Sequence, residues 1–224
     1  MAIMDWPSEQ RPREKLLAQG PAALSDAELL AVLLRTGVAG RNAVELAMDC
    51  LTRFGSLAGL LAAPLAEFRG VPGLGEVKFI MLQAVRELGK RVVGEGLRQS
   101  TLLARPAAVR EYLLLHLAAL EHEVFLGLFL DPRCHLIATV ELFRGSLTET
   151  NVYPREVVKA ALAHNAASVI FAHNHPSGVA VPSAADRAIT DRLTRALALI
   201  EVKTLDHFIV GGNQVCSLHA GQLV

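Results

Sequence analysis

From residue 11 to about 93, apolar positions recur every three or four residues in short runs, and each run is broken by a turn. That period is helical. Arg11-Pro12-Arg13-Glu14-Lys15-Leu16-Leu17 opens one helix. Ser25 with Glu28 three residues on is a capping box ahead of Leu29, Leu30, Leu33 and Leu34. Asn42 precedes Ala43–Phe54, with Gly55 as its stop. Ser56–Leu61 starts a short helix, and an apolar helix runs from Lys78 to about Val93. No strand alternation occurs there, so the N-terminal part reads as a small all-α domain.

The pattern then changes. Gly94-Glu95-Gly96-Leu97-Arg98-Gln99-Ser100 reads as a linker. Beyond it, helices are predicted over 106–115, 155–165 and 183–199. Strands are predicted over 124–130, 136–143, 168–172, 205–210 and 214–218, the last two around the Gly211-Gly212-Asn213 turn. Helices interspersed with strands imply an α+β or α/β layer structure. The expected domains are 1–96 and 101–224.

Composition narrows the class. Just over half of the 224 residues are apolar and a fifth are charged, which suits a well-buried core. Lys plus Arg equals Asp plus Glu, at 22 each. That balance argues against a protein whose main task is coating nucleic acid. The N-terminus turns polar at once and no uninterrupted apolar run would span a membrane. Three unpatterned cysteines suit a reducing compartment. A cytoplasmic protein without membrane attachment is expected.

All eight histidines lie at or beyond His116, so metal chemistry, if present, belongs to the C-terminal part. His173-Asn174-His175 follows the apolar run Ser168–Ala172, and Ser183-x-x-Asp186 opens the next helix. Residues i and i+2 of a strand point to one side, so both imidazoles can face one point. The loop through Pro176, Gly178 and Pro182 can return Asp186 to them. Three N/O ligands with a fourth position for water is a catalytic zinc arrangement. A blander explanation stands beside it: two loop histidines, and a capping box in which Ser183 and Asp186 serve only the helix. The two are compatible, because a cap also fixes the carboxylate. A deaminase would need His-x-Glu and Pro-Cys-x-x-Cys. A His-Glu-x-x-His helix is absent. A metal-dependent (β/α)₈ barrel needs roughly 250 residues.

Val71-Pro72-Gly73-Leu74-Gly75 looks like the hairpin of a helix–hairpin–helix module. Gly73 and Gly75 would let backbone approach a phosphate, and Lys78 would add charge. An ordinary helix connector has the same composition. Any DNA contact through it should be weak, sequence-independent and salt-dependent.

His173-x-His175, seven residues and Ser183-x-x-Asp186 resembles the JAMM motif of MPN metalloenzymes. With the 11–17 segment, Leu33-Leu34-Arg35-Thr36-Gly37, the Gly73/Gly75 hairpin and Asp206-His207, almost the whole chain resembles the bacterial RadC family. The resemblance implies a helix–hairpin–helix-like domain, then an MPN domain with a mixed sheet flanked by helices, similar to the cytidine-deaminase fold. It implies one Zn²⁺ per chain on His173, His175 and Asp186. An upstream glutamate that activates water is also implied: Glu123, at the head of the first core strand, with Glu121 as fallback. Ser183 takes the oxyanion-supporting position. The implied activity is hydrolysis of peptide or isopeptide bonds in an unknown protein or peptide substrate. The family's DNA-repair naming supplies the alternative, a DNA-associated factor. His207 has two readings, a ring that points at the site and, ranked first, a satisfied strand-end histidine. The loop from Arg144 to Glu156 reads as a wall of a substrate groove or a plain connector.

Overall fold

The computed structural model describes residues 3–98, 106–145 and 152–223, which form two compact units that divide between Leu88 and Gly89. Among these residues no helix is long and apolar enough to cross a membrane.

The first unit is helical: α1 (Pro12–Gln19), α2 (Asp26–Leu34), α3 (Ala43–Phe54), α4 (Leu57–Ala62), α5 (Leu65–Arg69) and the start of α6 (Glu76–Arg98). Local chemistry sets the boundaries. Ser25 and Glu28 make a reciprocal capping box at α2. At α3 the Asn42 side chain accepts from the amides of Val44 and Glu45. Gly55 ends α3 in the left-handed region at φ 76°. Leu30, Leu34, Leu46, Leu60, Phe68 and Leu82 fill the core. The short helix α5 was not separated from the turn that follows it by sequence periodicity, because five residues span little more than one turn.

The stretch read as a linker is helical as far as Arg98; residues 99 and 100 lie outside the described set. Two glycines did not break α6, because tertiary packing outweighs the roughly 1 kcal/mol a helical glycine costs. Leu97 is fully buried in the core of the second unit, and Val93 packs beside it.

The second unit contains α7 (Pro106–Leu117), β1 (Glu123–Leu130), β2 (Leu136–Gly145), α8 (Pro154–Ala163), β3 (Ser168–Asn174), α9 (Ala184–Ala198), β4 (Lys203–Gly211), β5 (Gln214–Ser217) and β6 (Gln222–Leu223). The strands form one mixed sheet in the order β2-β1-β3-β4-β5-β6. Among the described neighbouring strands only β3 and β4 pair in parallel, and α9 lies between them in sequence. The central strands β1 and β3 are buried along almost their whole length, so they read as continuous apolar runs. Alternation divides their side chains between two cores. Leu126, Leu128, Leu130, Ile170 and Ala172 pack with α7, while Phe125, Phe129, Val169 and Phe171 pack with α8 and α9. The 144–156 segment is only partly described: Arg144 and Gly145 belong to β2, 146–151 lie outside the described residues, and α8 begins at Pro154.

Candidate metal centre

The β3 strand runs two residues beyond its sequence-predicted end. His173 therefore lies within the strand, opposite Phe125 of β1 in antiparallel register. Its ring is fully buried and stacks on Phe125 at 5.9 Å between centroids. His175 stands just past the strand, and its amide donates to the Val210 carbonyl at 2.8 Å. Period-two alternation keeps both rings on the side facing α8 and α9.

Asp186 arrives from the first turn of α9. Ser183 Oγ accepts from the Asp186 amide at 3.1 Å, and Asp186 Oδ2 accepts from the Ser183 amide at 2.6 Å. This capping box starts the helix and also aims the buried carboxylate. Asp186 Oδ1 lies 3.1 Å from His173 Nε2, and Oδ2 lies 3.5 Å from His175 Nε2. The two Nε2 atoms are 2.9 Å apart. With metal–ligand bonds near 2.05 Å, tetrahedral geometry sets donors roughly 3.3 Å apart. The closest approaches among the three side chains, 2.9 to 3.5 Å, are of that order, with Asp186 turning a different oxygen to each imidazole, so the three groups converge on one point. Hydrogen-bond chemistry agrees at His175: its Nδ1 donates to the Val179 carbonyl at 2.9 Å, which leaves Nε2 as a lone pair toward the other donors. The group His173, His175 and Asp186 is thus placed to hold a metal ion.

The electrostatics follow the same geometry. Burial works to raise the Asp186 carboxyl. Hydrogen bonds that the His173 and His175 rings make to it when they carry a hydrogen on Nε2, with the His173 charge and Ser183, outweigh burial and hold the group far below the usual carboxylate range. The Asp186 carboxylate raises the His175 pKa against the opposing effect of burial; the Val179 carbonyl and the Glu123 charge add to the rise. Burial, then the neighbouring His173, keeps His207 well below the usual imidazole value.

Glu123 begins β1, two residues before Phe125, and so shares the face that carries the histidines. Glu121 lies outside the strand in an exposed bend. Sequence reasoning missed two side chains around the centre, Asn174 and Thr190, and ranked the site-facing reading of a third, His207, second. Asn174, between the two histidines, points to the opposite face. Its Oδ1 accepts from the Val124 amide at 2.8 Å, and its Nδ2 donates to the carbonyls of Leu120 and His122 at 3.2 and 3.0 Å. Thr190 and His207 lie behind His173. Thr190 follows Asp186 by four residues on one helix face, a spacing visible in sequence; for His207 the signals were strand alternation and the Asp206-His207 pair of the resemblance.

The other sequence-predicted residues sit in the first unit. Gly73 has φ +90°, and a Cβ there would collide with Val38 Cγ1, so glycine is required by the turn itself. Lys78 Nζ donates to the carbonyls of Thr36 and Gly73 at 3.0 and 2.9 Å, which commits two of its three hydrogens to holding the turn. Gly75 has no atom within 4 Å of where a Cβ would stand.

A mixed sheet bearing a His-His-Asp centre at the strand β3 and helix α9 termini defines a JAB-type domain, and the RadC-like JAB domain model matches residues 103–223. The UPF0758 N-terminal model matches residues 3–80. The chain belongs to the RadC family of UPF0758 proteins. It is 57% identical over 217 residues to a UPF0758 protein of Nitrosomonas eutropha, covering 97% of each chain. Identity is 59% over 211 residues, 94% of each chain, with one from Nitrosospira multiformis. With one from Thiobacillus denitrificans it is 55% over the full length of both.

Proposed function

We propose that the chain is a zinc-dependent metallohydrolase of the JAMM type that hydrolyses peptide or isopeptide bonds. The observation that carries this reading is the convergence of His173 Nε2, His175 Nε2 and the Asp186 carboxylate, with Glu123 on the same sheet face. When bound, zinc supplies Lewis acidity for the scissile carbonyl and makes water acidic enough to lose a proton near neutral pH. Glu123 takes that proton and returns it to the leaving amine. Ser183 donates its hydroxyl hydrogen to the developing oxyanion, a contribution of about 3 kcal/mol. Capping does not compete for that hydrogen. The cap uses an oxygen lone pair, because Ser183 Oγ accepts from the Asp186 amide.

Metal content by mass spectrometry tests the site, on wild type beside a His173→Ala/Asp186→Ala double variant. About one zinc per wild-type chain is expected, lost in the variant; no stoichiometric metal after zinc addition contradicts the reading. Glu123→Gln should keep the zinc and lose hydrolysis of a peptide library. Retained hydrolysis removes Glu123 as the base.

A second reading, weak sequence-independent DNA contact through Gly73, Gly75 and Lys78, draws on the open approach to the Gly75 backbone, for which packing supplies no reason.

A further inference from the structure

His207 is a buried titratable group that the hydrolytic chemistry leaves unused; it is 1% exposed. It stands between Thr190 of α9 and His173 of β3. Hydrogen-bond polarity determines what it does there. Thr190 Oγ1 lies 2.5 Å from the Asp186 carbonyl oxygen and 2.6 Å from His207 Nδ1. A carbonyl has no hydrogen to give, so the threonine hydroxyl donates to it. That hydroxyl has only one hydrogen, so the same oxygen must accept from His207 Nδ1–H. A neutral imidazole carries one N–H, which leaves His207 Nε2 as a lone pair. His173 Nδ1 is 2.7 Å from that lone pair and must donate to it. His173 Nε2 is then bare, on the side where His175 Nε2 and the Asp186 carboxylate converge.

We propose that Thr190 and His207 form a one-way hydrogen-bond relay that fixes the metal-facing tautomer of His173. Both are positioning residues, and the inference rests on the metal-centre reading above. The relay starts at the backbone carbonyl of Asp186, the residue whose carboxylate supplies the third donor. It therefore closes a ring through α9, β4 and β3, in which the carboxylate and the imidazole are set by one common anchor. The rings of Phe125 and Phe171 stand edge-on to His207 at 5.1 and 6.1 Å and give it an apolar surround. Without the threonine hydroxyl, His207 is free to present Nε2–H to His173. His173 would then carry its own hydrogen on Nε2, where it cannot ligate.

The test uses the full chain and zinc alone as ligand. Thr190→Val keeps the side-chain shape and removes the hydroxyl, while Thr190→Ser keeps the hydroxyl. Competition with a chromophoric chelator should show zinc bound about 10–100-fold more weakly by Thr190→Val, with Thr190→Ser close to wild type. Equal affinity in wild type and Thr190→Val overturns the relay and leaves the metal centre standing. Wild type that binds no zinc overturns the centre, and the relay with it. Nitrogen-15 imidazole spectra of the zinc-loaded wild type give a readout that depends on no variant folding. His207 should carry its hydrogen on Nδ1, and a hydrogen on Nε2 overturns the relay.

Discussion

Replacing Asn174 should cost stability first and catalysis second, and the structure says by how much. The Asn174 amide is 2% exposed and makes three hydrogen bonds to the backbone around the head of β1. Asn174→Ala removes all three. The carbonyls of Leu120 and His122 belong to residues that are only partly buried or exposed, so water can replace the amide there at little cost. The Val124 amide is buried and cannot be rehydrated. Leaving such a donor unpaired costs about 1–3 kcal/mol. Together with the two lesser losses, about 2–4 kcal/mol is expected. Urea unfolding of the metal-free protein at neutral pH measures it. Asn174→Asp adds a sign. Its second carboxylate oxygen would face two carbonyls, which raises its folded-state pKa above the unfolded value of about 3.9. The folded state then holds the proton longer, so the variant loses stability as pH rises through and above about 4. Because Glu123 directly precedes Val124, both variants should keep zinc yet hydrolyse more slowly. An Asn174→Ala protein with the wild-type urea midpoint would refute the reasoning, since the clamp would then contribute nothing.

Zinc affinity should rise with pH across roughly pH 5 to 8, because zinc takes the unprotonated ring. The Asp186 carboxylate holds the His175 pKa above its ordinary 6.5, so below that raised value one proton leaves for each zinc bound. Calorimetry in buffers of different ionisation enthalpy reads the proton, and a flat profile with no release contradicts the assignment. In the first unit, Gly73→Ala should destabilise by about 1–3 kcal/mol, from positive φ and the Val38 collision, as read by thermal unfolding. Gly75→Ser, which suits a helix N-cap, should leave stability nearly unchanged. It is therefore the informative variant for DNA anisotropy at low salt: weakened binding supports the hairpin reading, and unchanged binding removes Gly75 from it.

The centre was legible because its parts are local. His173 and His175 are two residues apart at the end of one strand, the second just beyond it, and Ser183-x-x-Asp186 is a helix start whose cap aims the ligand. Periodicity also placed the strands β1 to β5 to within a few residues, since burial on one or both faces leaves a clear pattern. What escaped, or was ranked second as His207 was, is non-local. His207 reaches His173 only because β4 lies parallel to β3, with His207 beside Phe171 in register. That pairing depends on the whole β3–α9–β4 crossover. Asn174 looked like filler between two ligands, because its partners, Leu120, His122 and Val124, lie about fifty residues earlier. The linker expectation failed for the opposite reason: two glycines are a strong local signal, and the burial of Leu97 overrides them.

Leu97 also bears on how such a chain can be cut and spliced. The JAB-domain match begins at residue 103, yet a fully buried leucine of that domain's core lies six positions upstream, on α6. A fragment started at the family boundary forfeits that packing, at roughly 2–5 kcal/mol for the leucine alone. The inherited module and the physical folding unit thus differ in extent. Chimeras between relatives should be joined upstream of Gly89, so that each recombinant keeps the helical turn that seals its sheet.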